Sequence, residues 1–177
     1  MKTTETISFY KHLWFNYSRK IIFISLVFMS ACIWGAIFQG RQDAFPPNPP
    51  DYTWLHYFSH NTSQSLFCIF VGLLTYGIGS IILLIMNATL IGIILQVSIQ
   101  NDLGITIFTA FLPHGVFEVP AMILTCLYPY ILWNFIIKSI KYRRIHYKLL
   151  KLEIIPIPVL IILLLFIAAI MESTFGI

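Results

Sequence analysis

The chain has 177 residues, 58% hydrophobic and 10% charged, with a formal net charge of +4. A soluble domain carries about 25% charged residues, so this chain lacks the polar surface of a water-facing globule. Its length allows one helical bundle in a bilayer and no additional soluble domain.

The basic residues are clustered: Lys2, Lys11, Arg19 and Lys20 precede the first apolar run, Lys138, Lys141, Arg143, Arg144, Lys148 and Lys151 precede the last, and Arg41 stands alone. Lys and Arg collect in cytoplasmic loops of membrane proteins. Both clusters are therefore expected on the cytoplasmic side. Topology explains them better than nucleic-acid binding, and a lipid-headgroup contact is compatible with it.

In chain order, residues 1–20 mix aromatic and basic side chains and are expected to form a cytoplasmic amphipathic segment under the headgroups. Ile21–Phe38 is the first span, near the length of about 20 residues a crossing needs. No small-residue cleavage pattern closes it, so it is expected to be retained. Residues 39–64 form the expected outer loop. Phe45-Pro46-Pro47-Asn48-Pro49-Pro50 should be extended, because proline removes donors and fixes φ. Trp54, His56, Tyr57 and Phe58 suit an interfacial aromatic belt. Asn61-Thr62-Ser63 matches a glycosylation acceptor.

Two apolar blocks follow, 65–99 and 103–137, separated by a turn at Gln100-Asn101-Asp102. The first is interrupted at Asn87, with Gly92 five residues on; the second at Pro113-His114-Gly115 and at Pro120. A central polar break in each suggests a pair of broken helices. The basic loop 138–151 and a last span, Ile154–Ile170, complete the chain. An odd number of crossings must join the outer loop to the basic loop, and the apolar length favours three. The expected fold is an all-α integral membrane protein with about five transmembrane helices, some broken or re-entrant. Residues 21–177 form a single transmembrane domain, the N-terminus cytoplasmic and the C-terminus outside.

Chemistry concentrates in Pro113-His114-Gly115-Val116-Phe117-Glu118. An ionisable residue at mid-membrane costs about 2.5–3.5 kcal/mol on insertion scales. His114 and Glu118, four apart, share a helical face and can offset each other's cost. Pro113 lacks a donor and Gly115 permits close approach, so a helix N-terminus with free N–H groups is expected near His114. The bland alternative is a satisfied pair that locks the bundle. A metal would need a third ligand, from Glu172 or Asn87, and no zinc-protease spacing is present; neither metal nor cofactor is expected. Asn87 reads as an interhelical hydrogen-bonding group and Gly92 as a packing position. Glu172 can stay at the outer interface or turn inward towards His114. Cys32, Cys68 and Cys126 lie in apolar runs without metal-like spacing and read as packing residues.

Leu112-Pro113-His114-Gly115-Val116-Phe117-Glu118-Val119-Pro120-Ala121 resembles the Leu-Pro-His-Gly-x-x-Glu-hydrophobic-Pro-Ala signature of the stage II sporulation protein M family. Asn87 followed by Gly92 resembles its upstream Asn-x4-Gly segment, and Ala168-Ala169-Ile170-Met171-Glu172 its Ala-Ala-x-x-Glu ending. The likeness covers about 65–177. After Glu172 this chain reads Ser173-Thr174-Phe175, where relatives more often continue Ala-Phe and a Thr-Pro pair. The resemblance implies a helical fold of about five spans. It also implies membrane partners, either ABC transporter components or peptidoglycan-remodelling proteins. The expected protein is a non-enzymatic subunit of such a complex in the cell membrane, with self-association into a homo-oligomer a further option and nucleic acid excluded. The alternative is a stand-alone small transporter or channel built on the His114–Glu118 centre.

Overall fold

A computed structural model describes residues 2–38 and 53–175. Five long helices carry the fold: α1 (Lys2–Phe38), α2 (Trp54–Leu74), α3 (Ile78–Gln100), α4 (Gly104–Lys141) and α6 (Pro156–Phe175). A short turn α5 (Tyr147–Leu149) and a π-helical turn (Leu150–Ile154) precede α6. No strand occurs among the described residues. Helices alone satisfy every backbone group within one segment, which hydrocarbon demands. Four segments are long and apolar enough to cross a membrane: Lys11–Phe38, Ile78–Gln100, Phe111–Lys141 and Tyr147–Thr174. The protein is an all-α integral membrane protein. α2 is the more polar fifth helix, packed against α3, α4 and α6.

Several boundaries differ from expectation. The amphipathic segment expected over 1–20 is helical and continuous with the first span, since α1 runs from Lys2 to Phe38. The connection expected over 39–64 is shorter, since α2 begins at Trp54. The expected extended stretch at 45–50 lies outside the described residues. Asn61 is buried within α2, at 9% exposure, so the acceptor reading of Asn61-Thr62-Ser63 fails on access. The apolar block 65–99 divides at Thr75-Tyr76-Gly77, and α3 runs unbroken through Asn87. α4 likewise runs unbroken through Pro113, Pro120 and Pro129. The pair of broken helices is therefore absent, and no helix starts at His114.

The turns share one device. α2, α3 and α4 each end in a residue of positive φ, Tyr76 (55°), Asp102 (57°) and Arg143 (49°). The next N–H reaches back five residues: Gly77 to Gly72 O at 2.7 Å, Leu103 to Ser98 O at 2.8 Å, Arg144 to Ser139 O at 3.2 Å. This left-handed cap satisfies carbonyls that a helix end leaves open. Tyr76 then stacks on Trp133, ring centres 4.3 Å apart, and Trp133 Nε1 donates to Leu73 O at 2.9 Å.

Helix contacts depend on small residues. A Cβ on Gly35 would strike Thr89 O, and one on Gly92 would strike Cys32 O. These reciprocal approaches mark a parallel crossing of α1 and α3. Ala31 and Gly35 on α1, and Ala88 and Gly92 on α3, supply the small-xxx-small spacing that lets backbones meet. α2 and α3 form an antiparallel hairpin in which Ser80 Oγ donates to Cys68 O at 2.9 Å. Pro129 fits the notch at Gly72. α4 and α6 run antiparallel over a core that includes Ala121, Leu127, Ile131, Ile157, Ile161 and Leu165. The basic residues Lys20, Lys138 and Lys148 gather with the Tyr76 turn at one end of the bundle; Phe38, Trp54 and Glu172 lie towards the other.

Candidate functional site

His114 and Glu118 lie one turn apart on α4 in the half away from the basic end. His114 is buried at 8% exposure; Glu118 is half-buried. Phe111 packs edge-on against the imidazole, ring centres 5.2 Å apart at 76°. Gly115 is buried, and a Cβ there would come within 3.2 Å of the Phe111 ring. Its smallness thus clears space for an aromatic on its own helix, not for a neighbouring backbone. Pro113 is half-buried inside the continuous helix.

Glu172 of α6 is half-buried and lies within Coulombic reach of Glu118. Antiparallel packing of α4 and α6 thus brings two carboxyl groups and an imidazole into one region. Among the described residues, no group of three His, Cys, Asp or Glu is arranged to hold a metal.

Asn87 does not join this group. Its Oδ1 accepts from Gln64 Nε2 at 2.8 Å, tying α3 to α2 nearer mid-bundle, beside Met122 and Thr125. Gly92 belongs to the α1–α3 crossing. Of the residues singled out from sequence, Pro113, His114, Gly115, Glu118 and Glu172 are neighbours, and Asn87 and Gly92 serve other contacts.

A second polar centre lies at the basic end and was not singled out. Glu153, in the π-helical turn, is 2% exposed. Its Oε1 meets His12 Nε2 at 2.7 Å and its Oε2 accepts from Tyr17 OH at 2.7 Å. Asn16 Nδ2 stands 3.0 Å from His12 Nε2 and 3.3 Å from its Nδ1. Ile155 N–H bonds to Leu150 O at 3.1 Å, closing the wide turn, and Tyr128 OH donates to Ile154 O at 2.9 Å. The extra residue of a π-turn gives Glu153 its inward aim. Only a lone acid among Lys148, Lys151 and apolar neighbours hinted at this in the sequence.

α2 carries the third feature. His56, Ser59, His60, Ser63 and Gln64 are exposed, and the spacing puts them on one face. That polar face reaches from the Trp54 end to Ser63, about 13 Å along the axis at 1.5 Å per residue. It is exposed from His56 to Ser63, and at Gln64 it meets Asn87 of α3. The Asn87–Gln64 bond sits at its deep end.

Compared with known proteins, the chain matches the family SpoIIM, described as stage II sporulation protein M, over residues 21–176. No curated protein and no solved structure matches it.

Proposed function

Because the chain belongs to the stage II sporulation protein M family, we propose that it is a non-catalytic subunit of a cell-membrane complex, engaging another membrane protein through the half of the bundle away from its basic end. The polar outward face of α2 carries this reading. Ser63 is exposed on this face, and a hydroxyl that meets hydrocarbon there lacks a hydrogen-bond partner, which is costly. A neighbouring transmembrane helix with polar side chains removes that cost. His114, Glu118 and Glu172 form the adjoining polar centre, which the partner engages. An ABC-type transport component or a cell-wall remodelling protein is the partner class the family suggests. The basic end faces the cytoplasm by the charge rule, which places the C-terminus outside.

The stand-alone transporter loses its main structural motive, since α3 and α4 are continuous helices. It keeps only the ionisable groups.

Photo-crosslinking in intact cells tests the proposal. A photoreactive side chain at Ser63 should trap one discrete membrane protein, the same one that co-purifies with the tagged chain. The same group at Leu163, an exposed apolar position on α6, should trap lipid. Lipid adducts alone at both positions would refute the assignment of this face.

A further inference from the structure

The basic end contains a cleft in two parts. The polar part, about 220 Å³, is lined by Lys20, Tyr130, Asn134 and Lys138, with Glu153 at its floor. The apolar part, about 200 Å³, lies between α1, α3 and α4, against Ile24, Ile81 and Leu127. Lys20 and Tyr130 line both parts, so the two are contiguous. Lys20 Nζ is held 4.2 Å from the centre of the Tyr130 ring, at the junction. Among the described residues neither Lys20 nor Lys138 forms an ion pair. Glu153 does not compete for them at close range, since His12 and Tyr17 occupy its oxygens. Phe23, Tyr76 and Ile78, all well exposed, form the rim of the apolar part on the bilayer-facing surface.

We propose that this cleft binds one anionic phospholipid, its phosphodiester between Lys20 and Lys138 and one acyl chain along Ile24, Ile81 and Leu127. A snorkelling lysine needs only the interface. Two half-buried ammonium groups and an amide at the head of an apolar furrow match a headgroup and its tail together. The phosphate collects the ammonium donors and the Asn134 amide in charge-assisted bonds, and the tail removes the furrow from competition with bulk lipid. The bound lipid would bridge α1, α3 and α4 beside the His12–Glu153 contact.

Native mass spectrometry of the purified full chain in mild detergent tests this, with phosphatidylglycerol, phosphatidylethanolamine or inorganic phosphate added. One phosphatidylglycerol should be retained in preference to phosphatidylethanolamine. A juxtamembrane lysine contributes about 1 kcal/mol to anionic-lipid attraction, so Lys20→Gln and Lys138→Gln should each weaken retention roughly fivefold, and the pair roughly thirtyfold if additive. Lys20→Arg should keep it, and Lys141→Gln, at the exposed end of α4, should not change it. Ile81→Trp, which fills the furrow without touching charge, should also lower retention. Unchanged lipid retention in a double variant that elutes and melts like the wild type would overturn the proposal. So would equal retention of both lipids. Displacement of the lipid by inorganic phosphate, with Ile81→Trp silent, would make the cleft an ion site and overturn it as well.

Discussion

The two ends of this bundle treat buried acids in opposite ways. At the basic end Glu153 is 2% exposed, and a donor from α1 meets each of its oxygens. At the other end Glu118 and Glu172 approach each other from α4 and α6, beside a buried imidazole. The first arrangement is closed: an acid held by partners more than 130 residues away in sequence ties the long α1 helix to the π-turn before α6. The second gathers ionisable side chains from two helices in a half-buried region, a placement that stability alone does not favour. In the proposed reading one end holds the fold and the other serves the partner.

Substitutions can break this contrast, and the largest effect belongs to the closed end. His12→Ala leaves the buried Glu153 Oε1 without its hydrogen-bond partner, which should cost about 3 kcal/mol. Denaturant titration in mixed micelles should show that loss. Gly92→Leu drives a side chain into Cys32 O of α1 and should cost about 1–3 kcal/mol, read by the same titration. A fully preserved midpoint there would mean the α1–α3 crossing is looser than described. Tyr17→Phe removes the donor to Glu153 Oε2 and should cost about 1–3 kcal/mol, no more than His12→Ala. Glu118→Gln should have the smallest effect on unfolding, within about 0.5 kcal/mol or slightly stabilising, because it replaces a half-buried ionisable group by a neutral amide of the same shape. A large destabilisation by Glu118→Gln would erase the distinction between the ends.

Much of the architecture was readable before any coordinates. Apolar runs, the placement of Lys and Arg, and the Pro-His-Gly-x-x-Glu stretch sufficed for an all-α membrane protein of the family found here. The misreadings have physical causes. Pro113-His114-Gly115 looks like a helix break by the rules of water, where an interior proline costs about 3 kcal/mol. In a bilayer, ending the helix exposes more backbone than one missing donor does, so α4 continues. The true division of the 65–99 block, Thr75-Tyr76-Gly77, was signalled by Gly77 and Gly79, but apolar residues on both sides hid it. Ala31-x-x-x-Gly35 and Ala88-x-x-x-Gly92 were both visible in the sequence; their shared register across two parallel helices was not. Glu153 was least legible, because its burial depends on His12 and Tyr17, and local periodicity carries no information about them.

The most direct test of the division between a holding end and a working end is the amount of partner protein co-purifying per chain for Glu118→Gln, set beside Tyr17→Phe, from membranes solubilised in mild detergent. The account predicts that Glu118→Gln loses the partner while melting no lower than the wild type, and that Tyr17→Phe melts lower yet keeps its partner in the surviving folded fraction. Undiminished partner recovery with Glu118→Gln would contradict it.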